Sequence, residues 1–447
     1  MAVNTPVEIL GQQPSLQVYT QLSSIFDLHS DSQADNIVET LRAGLVGLSK
    51  AFPWVAGQVV NEGACPGNSG VFKIKEFEAT PRLLVKDMRD DKGTPSMDEL
   101  RNANYPMTML DESYLAPRMT LPGSPFEDPL DPRPVLMLQL TFIRGGLILT
   151  SATEHHAVDI IGQAQLLSWL SQACHGIPFS DREKEFGNRN RENAIPLLDH
   201  SHDIIAQFGP LMIRPPAAPA SGGLPPPSVW AFFNIGNDAL TKLKAEATKT
   251  VTVDFISTDD ALSALIWQSV TRARQQRIGP NREVKMTRAI DVRKHCNLPK
   301  EYPGMMQSQS LARSTIGKLL SAPLGEVASA LRTVLDPAKI RHELPGFAAL
   351  LAQSPDKSNL SFIASADPAL DIMLSSWVKV DCYDADFNFG LGKPINVVRP
   401  CFPPVESLVY MMPRSERGIA VGLCLRENEM QKLKSDAQFA QYMEFVG

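Results

Sequence analysis

No stretch of the sequence offers the roughly 18 uninterrupted apolar residues that a membrane-spanning helix needs. The opening segment, MAVNTPVEILGQQPSLQV, has neither a basic lead nor a continuous apolar core. A soluble, cytoplasmic protein is expected. The six cysteines are scattered and form no C-x-x-C pair, which argues against a zinc ribbon or a disulfide framework and for a reducing compartment. Long runs of Lys or Arg are missing and the net charge is −6, so the electrostatic footprint of a nucleic-acid binder is absent. No G-x-G-x-x-G follows a strand and no P-loop string occurs, which removes the usual nucleotide cradles. Nor is there a G-x-S-x-G elbow or a cysteine in a recognisable nucleophile motif, so no serine or cysteine nucleophile is expected.

The 447 residues are too many for one ordinary core and point to two large halves. In the first, Val7–Leu10 reads as a short strand and Ala34–Ala51 as an amphipathic helix with Ile37, Leu41, Leu45 and Leu48 on one face. Val55–Val60, Val71–Phe77, Arg82–Asp87 and Val135–Phe142 read as strands. The proline-punctuated stretch Met88–Asp131 reads as loops and short helices. Leu211–Val229 carries six prolines and two glycines, which suits a semi-extended connector. Beyond it, Trp230–Ile235 and Thr287–Val292 read as strands, as do Leu408–Met412 and Gly418–Leu425. Helices are expected from Asn237, from Ser257 or Thr258, over Leu324–Leu335 and Ala338–Gln353, and over Glu427–Phe445. Strands and helices mix without strict βαβ alternation, so the fold class is α/β of the α+β type, with a mixed β-sheet and packed helices in each half. The division is residues 1–205, a crossover linker over 206–229, and residues 230–447.

The stretch Gly145–His175 concentrates the chemistry. An apolar strand, Leu147–Ala152, stops at Glu154, His155, His156 and Asp159, and Ile160, Ile161, Ala164, Leu167 and Leu170 then recur at helical spacing. His155 therefore sits in a strand-to-helix turn, where a histidine is rigidly held and its proton affinity can shift. On spacing alone, H-x-x-x-D reads equally well as two turn polars capping a helix. His156 is expected to point to the other side of the strand. A zinc site of His155, His156 and Asp159 would need neighbours to converge, and no metal is expected.

Five collinear segments carry a resemblance: FPWVAGQV at Phe52–Val59; PVLMLQLTFIRGGLIL running into HHAVD at His155–Asp159; STDDALSALIWQSVTRAR at Ser257–Arg274; AIDVRKHCNLPKEYPG at Ala289–Gly304; and SSWVKVDCYDADFNFGLGKP at Ser375–Pro394. Together they resemble the BAHD-type acyl-CoA-dependent acyltransferases of the chloramphenicol acetyltransferase-like superfamily, above all the fungal branch typified by trichothecene 3-O-acetyltransferases. The resemblance implies two similar chloramphenicol acetyltransferase-like domains joined by the proline-rich crossover. It implies that His155 is the catalytic base, and that Asp159 points away from substrate to pair with Arg293 of the D-x-R segment. It further implies that Ser375 and Trp377 donate hydrogen bonds to the developing oxyanion, although an ordinary strand residue and a core tryptophan would read the same. Asp386, Phe387, Asn388, Phe389 and Gly390 correspond to a structural signature. Two departures stand out. Ile160 replaces a glycine and narrows the entrance beside His155; Asn388 and Phe389 replace Gly and Trp, and Asn tolerates the positive φ of such a turn.

The activity so implied is direct acetyl transfer in a ternary complex, from acyl-CoA as co-substrate to the hydroxyl or amine of a small hydrophobic acceptor. CoA would enter from one face and the acceptor from the other, with the Met88–Asp131 loops and the linker shaping the acceptor side. It also implies a monomer with no permanently bound cofactor. The alternative is a non-catalytic or condensation-domain-like member that binds an acyl-CoA or a peptide-like ligand. The intact H-x-x-x-D with its matching D-x-R speaks against it.

Overall fold

The computed structural model describes residues 3–30, 33–123, 131–198, 203–214 and 227–447. Arg144-Gly145-Gly146 forms the expected tight turn, with Gly145 at φ 75°, a conformation that glycine adopts without strain. It folds strands Leu136–Ile143 and Gly146–Glu154 into an antiparallel hairpin, both buried along their whole length. Tyr19–Asp27 pairs with the other edge of the central strand, from Tyr19 opposite Glu154 to Asp27 opposite Gly146. Arg82–Asp87 adds in parallel beyond Leu136–Ile143, and Asn396–Val398 adds beyond Tyr19–Asp27, making a sheet of five. Asn396–Val398 comes from the second half of the chain yet completes the sheet of the first. Helices Ala34–Ala51 and Ile160–Cys174 pack closely, since a Cβ at Gly44 would lie 2.3 Å from Cys174 Sγ.

The second sheet runs Gln307–Thr315, Glu283–Asp291, Ile372–Ser376, Leu408–Met411, Ile419–Arg426, Ser228–Ile235, Glu444–Phe445. It is mixed: Ile372–Ser376 is parallel to both neighbours and the other pairs are antiparallel. Thr258–Ile278 packs on it as a helix buried nearly all round, opened by a capping box between Ser257 and Asp260. A small third sheet joins Asn4–Pro6, Val71–Lys75 and Gln58–Glu62. One hydrophobic core unites residues from both halves, including Leu149, Trp169, Trp230 and Trp377.

Several expectations need correction. Val7–Leu10 is no strand: Asn4–Pro6 is extended, and a 3₁₀ turn follows at Ile9–Gln12. Between them Glu8 is fully buried, held by Arg191 and Tyr302. Val55 and Ala56 belong to a 3₁₀ turn, and the strand starts at Gln58. Glu427–Phe445 is not one helix. It breaks after Lys434, because Asp436 caps the turn Ala437–Ala440 and pairs with Arg272, and Glu444–Phe445 then joins the sheet. The start of the linker is helical, since Ile204–Met212 forms a helix that carries Pro210. Residues 215–226, the centre of that linker, and 124–130 of the Met88–Asp131 stretch lie outside the described residues. Tyr19–Asp27 and Gln307–Thr315 are strands that no apolar pattern announces.

The Asp386–Gly390 segment closes the first half. Phe387 and Asn388 both have positive φ, 54° and 56°, and Asn388 Nδ2 donates to the Cys174 carbonyl at the helix end. Phe387 and Phe389 stack on each other with centroids 5.5 Å apart and meet Phe26 edge-on. Asparagine thus supports the turn twice, by conformation and by capping. Replacing Asn388 with Val should lower the unfolding free energy by about 1–2 kcal/mol in denaturant titrations, whereas Asn388→Gly keeps the conformation, loses only the exposed bond to Cys174 O, and should cost less; equal losses in both would count against the conformational account.

Candidate active site

His155 follows the last residue of the central strand, where its backbone N–H donates to the Val18 carbonyl. Its ring Nδ1 lies 3.1 Å from the Val158 carbonyl oxygen. A carbonyl only accepts, so Nδ1 carries the proton and Nε2 keeps its lone pair. Burial pushes the His155 pKa below its ordinary value, outweighing the nearby acidic groups. The ring is therefore neutral at physiological pH and able to accept a proton.

Asp159 caps the helix Ile160–Cys174 through Gly162 N–H at 2.8 Å. Arg293 Nη1 and Nη2 grip its two carboxylate oxygens at 2.9 and 2.8 Å, and Met306 N–H adds a further bond at 2.8 Å. The arginine is 1 % exposed, and its other N–H groups donate to Tyr302 O, Gly304 O and Asp291 Oδ1. Against the cost of burial, Asp159 and Asp291 hold its charge firmly in place. A Cβ at Gly162 would lie 1.9 Å from the Pro303 carbonyl oxygen, so the helix start and the segment after Arg293 touch backbone to backbone.

His156 points elsewhere, as expected. Its Nδ1 binds Glu154 at 2.7 Å, its ring stacks on Phe72, and both partners of that pair are fully buried. Among the described residues no group of three or more His, Cys, Asp or Glu is arranged to hold a metal ion.

His155, Ile160, Ser375 and Trp377 line one cavity of about 260 Å³, together with Thr120 and Leu121 from the Met88–Asp131 stretch. Ile160 thus stands in the wall beside the imidazole. One expectation changes here. The indole N–H of Trp377 donates to Ser375 Oγ at 2.9 Å, so it is already engaged and does not face the cavity as a free donor. What it does is occupy a lone pair of the serine, leaving the Ser375 O–H to donate. A second cavity, of about 570 Å³, lies behind, lined by Ile161, Ser376 and the exposed cations Lys300 and Lys379. Ala289 borders both, and successive strand residues Ser375 and Ser376 face opposite ways, as pleating requires. The signature Asp386–Gly390 lines neither.

Other residues that face the His155 cavity went unnoticed in the sequence: Tyr19, Thr20, Gln307, Gln309, Arg399 and Tyr410. Only Arg399 left a trace, as a lone charge in the apolar string NVVRPCF.

The geometry matches what comparisons with known proteins find. Residues 118–440 match the Transferase family, and residues 18–174 match the trichothecene 3-O-acetyltransferase-like N-terminal domain. The chain belongs to the Transferase family, the BAHD acyltransferases. It is an O-acetyltransferase of the fungal branch: it is 43 % identical to trichothecene 3-O-acetyltransferase of Fusarium sporotrichioides, over 99 % of this chain and 97 % of that one. It is 42 % identical to the O-acetyltransferase dmxR13 of a Cryptosporiopsis species, over 99 % and 97 % of the two chains. The crystal structure of F. graminearum TRI101 complexed with coenzyme A and T-2 mycotoxin superposes with a TM-score of 0.94, at 42 % identity, covering 99 % of this chain and all of that one.

Removing the carboxylate of Asp159 would strand the Arg293 charge in the interior. Asp159→Ala should therefore cost about 3–5 kcal/mol of stability, measured by denaturant unfolding. A loss below about 1 kcal/mol would mean that the pair holds the turn only weakly.

Proposed function

We propose that the protein moves the acetyl group of acetyl-CoA onto a hydroxyl of a hydrophobic secondary metabolite, with His155 as the general base. The observation that carries this reading is the tautomer of His155, whose Nδ1–H is committed to Val158 O while the ring borders the cavity. CoA suits the larger cavity, where the exposed Lys300 and Lys379 can meet its phosphates, among the carboxylates of Asp259, Asp291, Asp381 and Asp384 that also line it. The acceptor suits the smaller, more apolar one. T-2 mycotoxin and deoxynivalenol, each bound with CoA by F. graminearum TRI101, set the scale of molecule.

In this mechanism the acceptor oxygen attacks the thioester carbonyl as His155 Nε2 takes its proton. The carbonyl π electrons move onto oxygen, and Ser375 O–H, with Trp377 N–H holding its lone pair, donates to the oxyanion. Collapse reforms the carbonyl and breaks the C–S bond. The proton on His155 passes to the departing thiolate, leaving the ester, CoA and the neutral imidazole. Asp159 and Arg293 hold the turn and take no part in the chemistry. No acyl-enzyme is needed: burial pushes the thiols of Cys174, Cys382 and Cys424 up to about 12, and no cysteine borders the His155 cavity. Six free cysteines suit a reducing cytoplasm, and the protein works as a monomer. No helix among the described residues is long and apolar enough to cross a membrane.

The test is thiol release from acetyl-CoA with deoxynivalenol as acceptor. His155→Ala should abolish turnover while keeping the parent's circular dichroism; retained turnover refutes the assignment. The base must be neutral to act, so kcat/KM should be flat at neutral pH and fall only as pH drops through a pKa below 6.5. An inflection above that value would contradict the geometry. Ser375→Ala should lower kcat about 10²–10³-fold and Trp377→Phe by less; an undiminished kcat in Trp377→Phe would show that the serine hydroxyl needs no orienting partner.

A further inference from the structure

The acceptor cavity contains a buried cation that the chemistry above leaves unused. Arg399 is 2 % exposed and borders the cavity with His155. It follows Asn396–Val398, the strand that the second half lends to the first sheet. Its guanidinium lies over three aromatic rings, at 4.4 Å from the Phe402 centroid, 4.9 Å from Tyr410 and 5.8 Å from Trp377. Nη2 donates to Thr120 Oγ1 at 3.1 Å, Nε has no acceptor, and no carboxylate pairs with the group among the described residues.

The contrast with the other fully buried arginines is informative. Arg274 and Arg293 each meet a carboxylate within 3 Å and several further acceptors, as burial of a charge demands. Arg399 has its flat faces covered by rings, while its edge, where the N–H donors lie, is largely unspent. A site of this kind is completed by its ligand. An oxygen acceptor brought into the cavity would find donors already desolvated and already oriented.

Resting on the acetyltransferase reading, we propose that Arg399 determines acceptor specificity by donating to a carbonyl or carboxylate oxygen carried on the acceptor's hydrocarbon frame, at a position other than the hydroxyl that is acetylated. The protein then acts on oxygenated acceptors and discriminates against plain hydrocarbon alcohols of equal size, because those leave the guanidinium without a partner. Thr120 is its positioning residue, fixing the plane of the guanidinium.

The experiment uses the full chain, acetyl-CoA and three acceptors of one skeleton: 2-decalol, 6-hydroxy-2-decalone and 6-hydroxydecalin-2-carboxylate. The parent protein should favour the ketone, the carboxylate or both over plain decalol by at least about tenfold in kcat/KM, chiefly through KM. Preference for the carboxylate alone identifies charge as the recognised feature; comparable preference for the ketone identifies hydrogen bonding. Arg399→Met should bring the ratios close to one. Arg399→Lys should restore preference for the carboxylate more than for the ketone, since it keeps the charge and loses the planar fork. Should the Met variant fail to fold, Thr120→Val keeps Arg399 and should shrink the ratios. Four results overturn the proposal: equal treatment of the three acceptors by the parent, ratios unmoved by Arg399→Met, a uniform fall in kcat for all three, or turnover of deoxynivalenol but of no decalin. The uniform fall would assign Arg399 to the reacting carbonyl through Trp377 and Ser375. Absence of thiol release with every acceptor, deoxynivalenol included, refutes the acetyltransferase reading itself.

Discussion

The bidentate pair between Asp159 and Arg293 is the contact on which the arrangement of the site depends. It joins the strand-to-helix turn of the first sheet to the segment that follows the strand Glu283–Asp291 of the second, with both charges buried. Taking two charges out of water offsets most of their attraction, so such a pair contributes little net stability compared with well-packed apolar residues. Its value is geometric. Five hydrogen-bonded partners surround the pair, Gly162 and Met306 on the aspartate and Tyr302, Gly304 and Asp291 Oδ1 on the arginine, and they admit a single orientation of the turn. His155 is four residues away and inherits that orientation.

From that corner the organisation spreads by hydrogen bonds that each settle one ambiguity. Val158 O decides which imidazole nitrogen carries the proton. Trp377 decides which way the Ser375 hydroxyl can point. Glu154 ties up His156, the neighbour that would otherwise compete for the same role, and seals it against Phe72. Each is a short-range constraint on a group whose chemistry depends on orientation as much as on identity.

How much of this was legible in the sequence follows from the same physics. Ala34–Ala51 is found where periodicity places it, because it buries one apolar face with Ile37, Leu41, Leu45 and Leu48; Arg82–Asp87 is also found in its expected place, as an edge strand that buries none of its residues fully. His155, Asp159 and Arg293 were legible through the family resemblance; H-x-x-x-D by itself reads as well as a helix cap, which Asp159 in fact also is. The strands missed, Tyr19–Asp27 and Gln307–Thr315, are rich in Gln, Ser and Thr. In Tyr19–Asp27 those residues are nonetheless buried, and Ser23 bonds Thr150 across the pair. Thr20, Gln307 and Gln309 face the His155 cavity. Polar residues needed at a site erase the apolar pattern that would have announced the strand bearing them. The use of the Trp377 N–H was illegible for another reason: whether a donor is free depends on a partner two residues away whose direction only the fold decides.

Two cavities of unlike character meet at one parallel strand, and this arrangement favours direct transfer over a covalent acyl-enzyme. Along Ile372–Ser376 alternate residues face opposite sides, so Ser375 reaches the His155 cavity while Ser376 reaches the cavity bearing Lys300 and Lys379. On the proposed reading, a strongly hydrated donor such as CoA would keep its phosphates by Lys300 and Lys379 and extend only its thioester toward the imidazole. An apolar acceptor would then meet rings and aliphatic walls on the other side. Each substrate would be bound by surface suited to it, with the reacting atoms converging between the two. A nucleophilic side chain at that junction would have to turn from one cavity to the other between half-reactions; a neutral histidine fixed by Val158 O needs only to pass a proton.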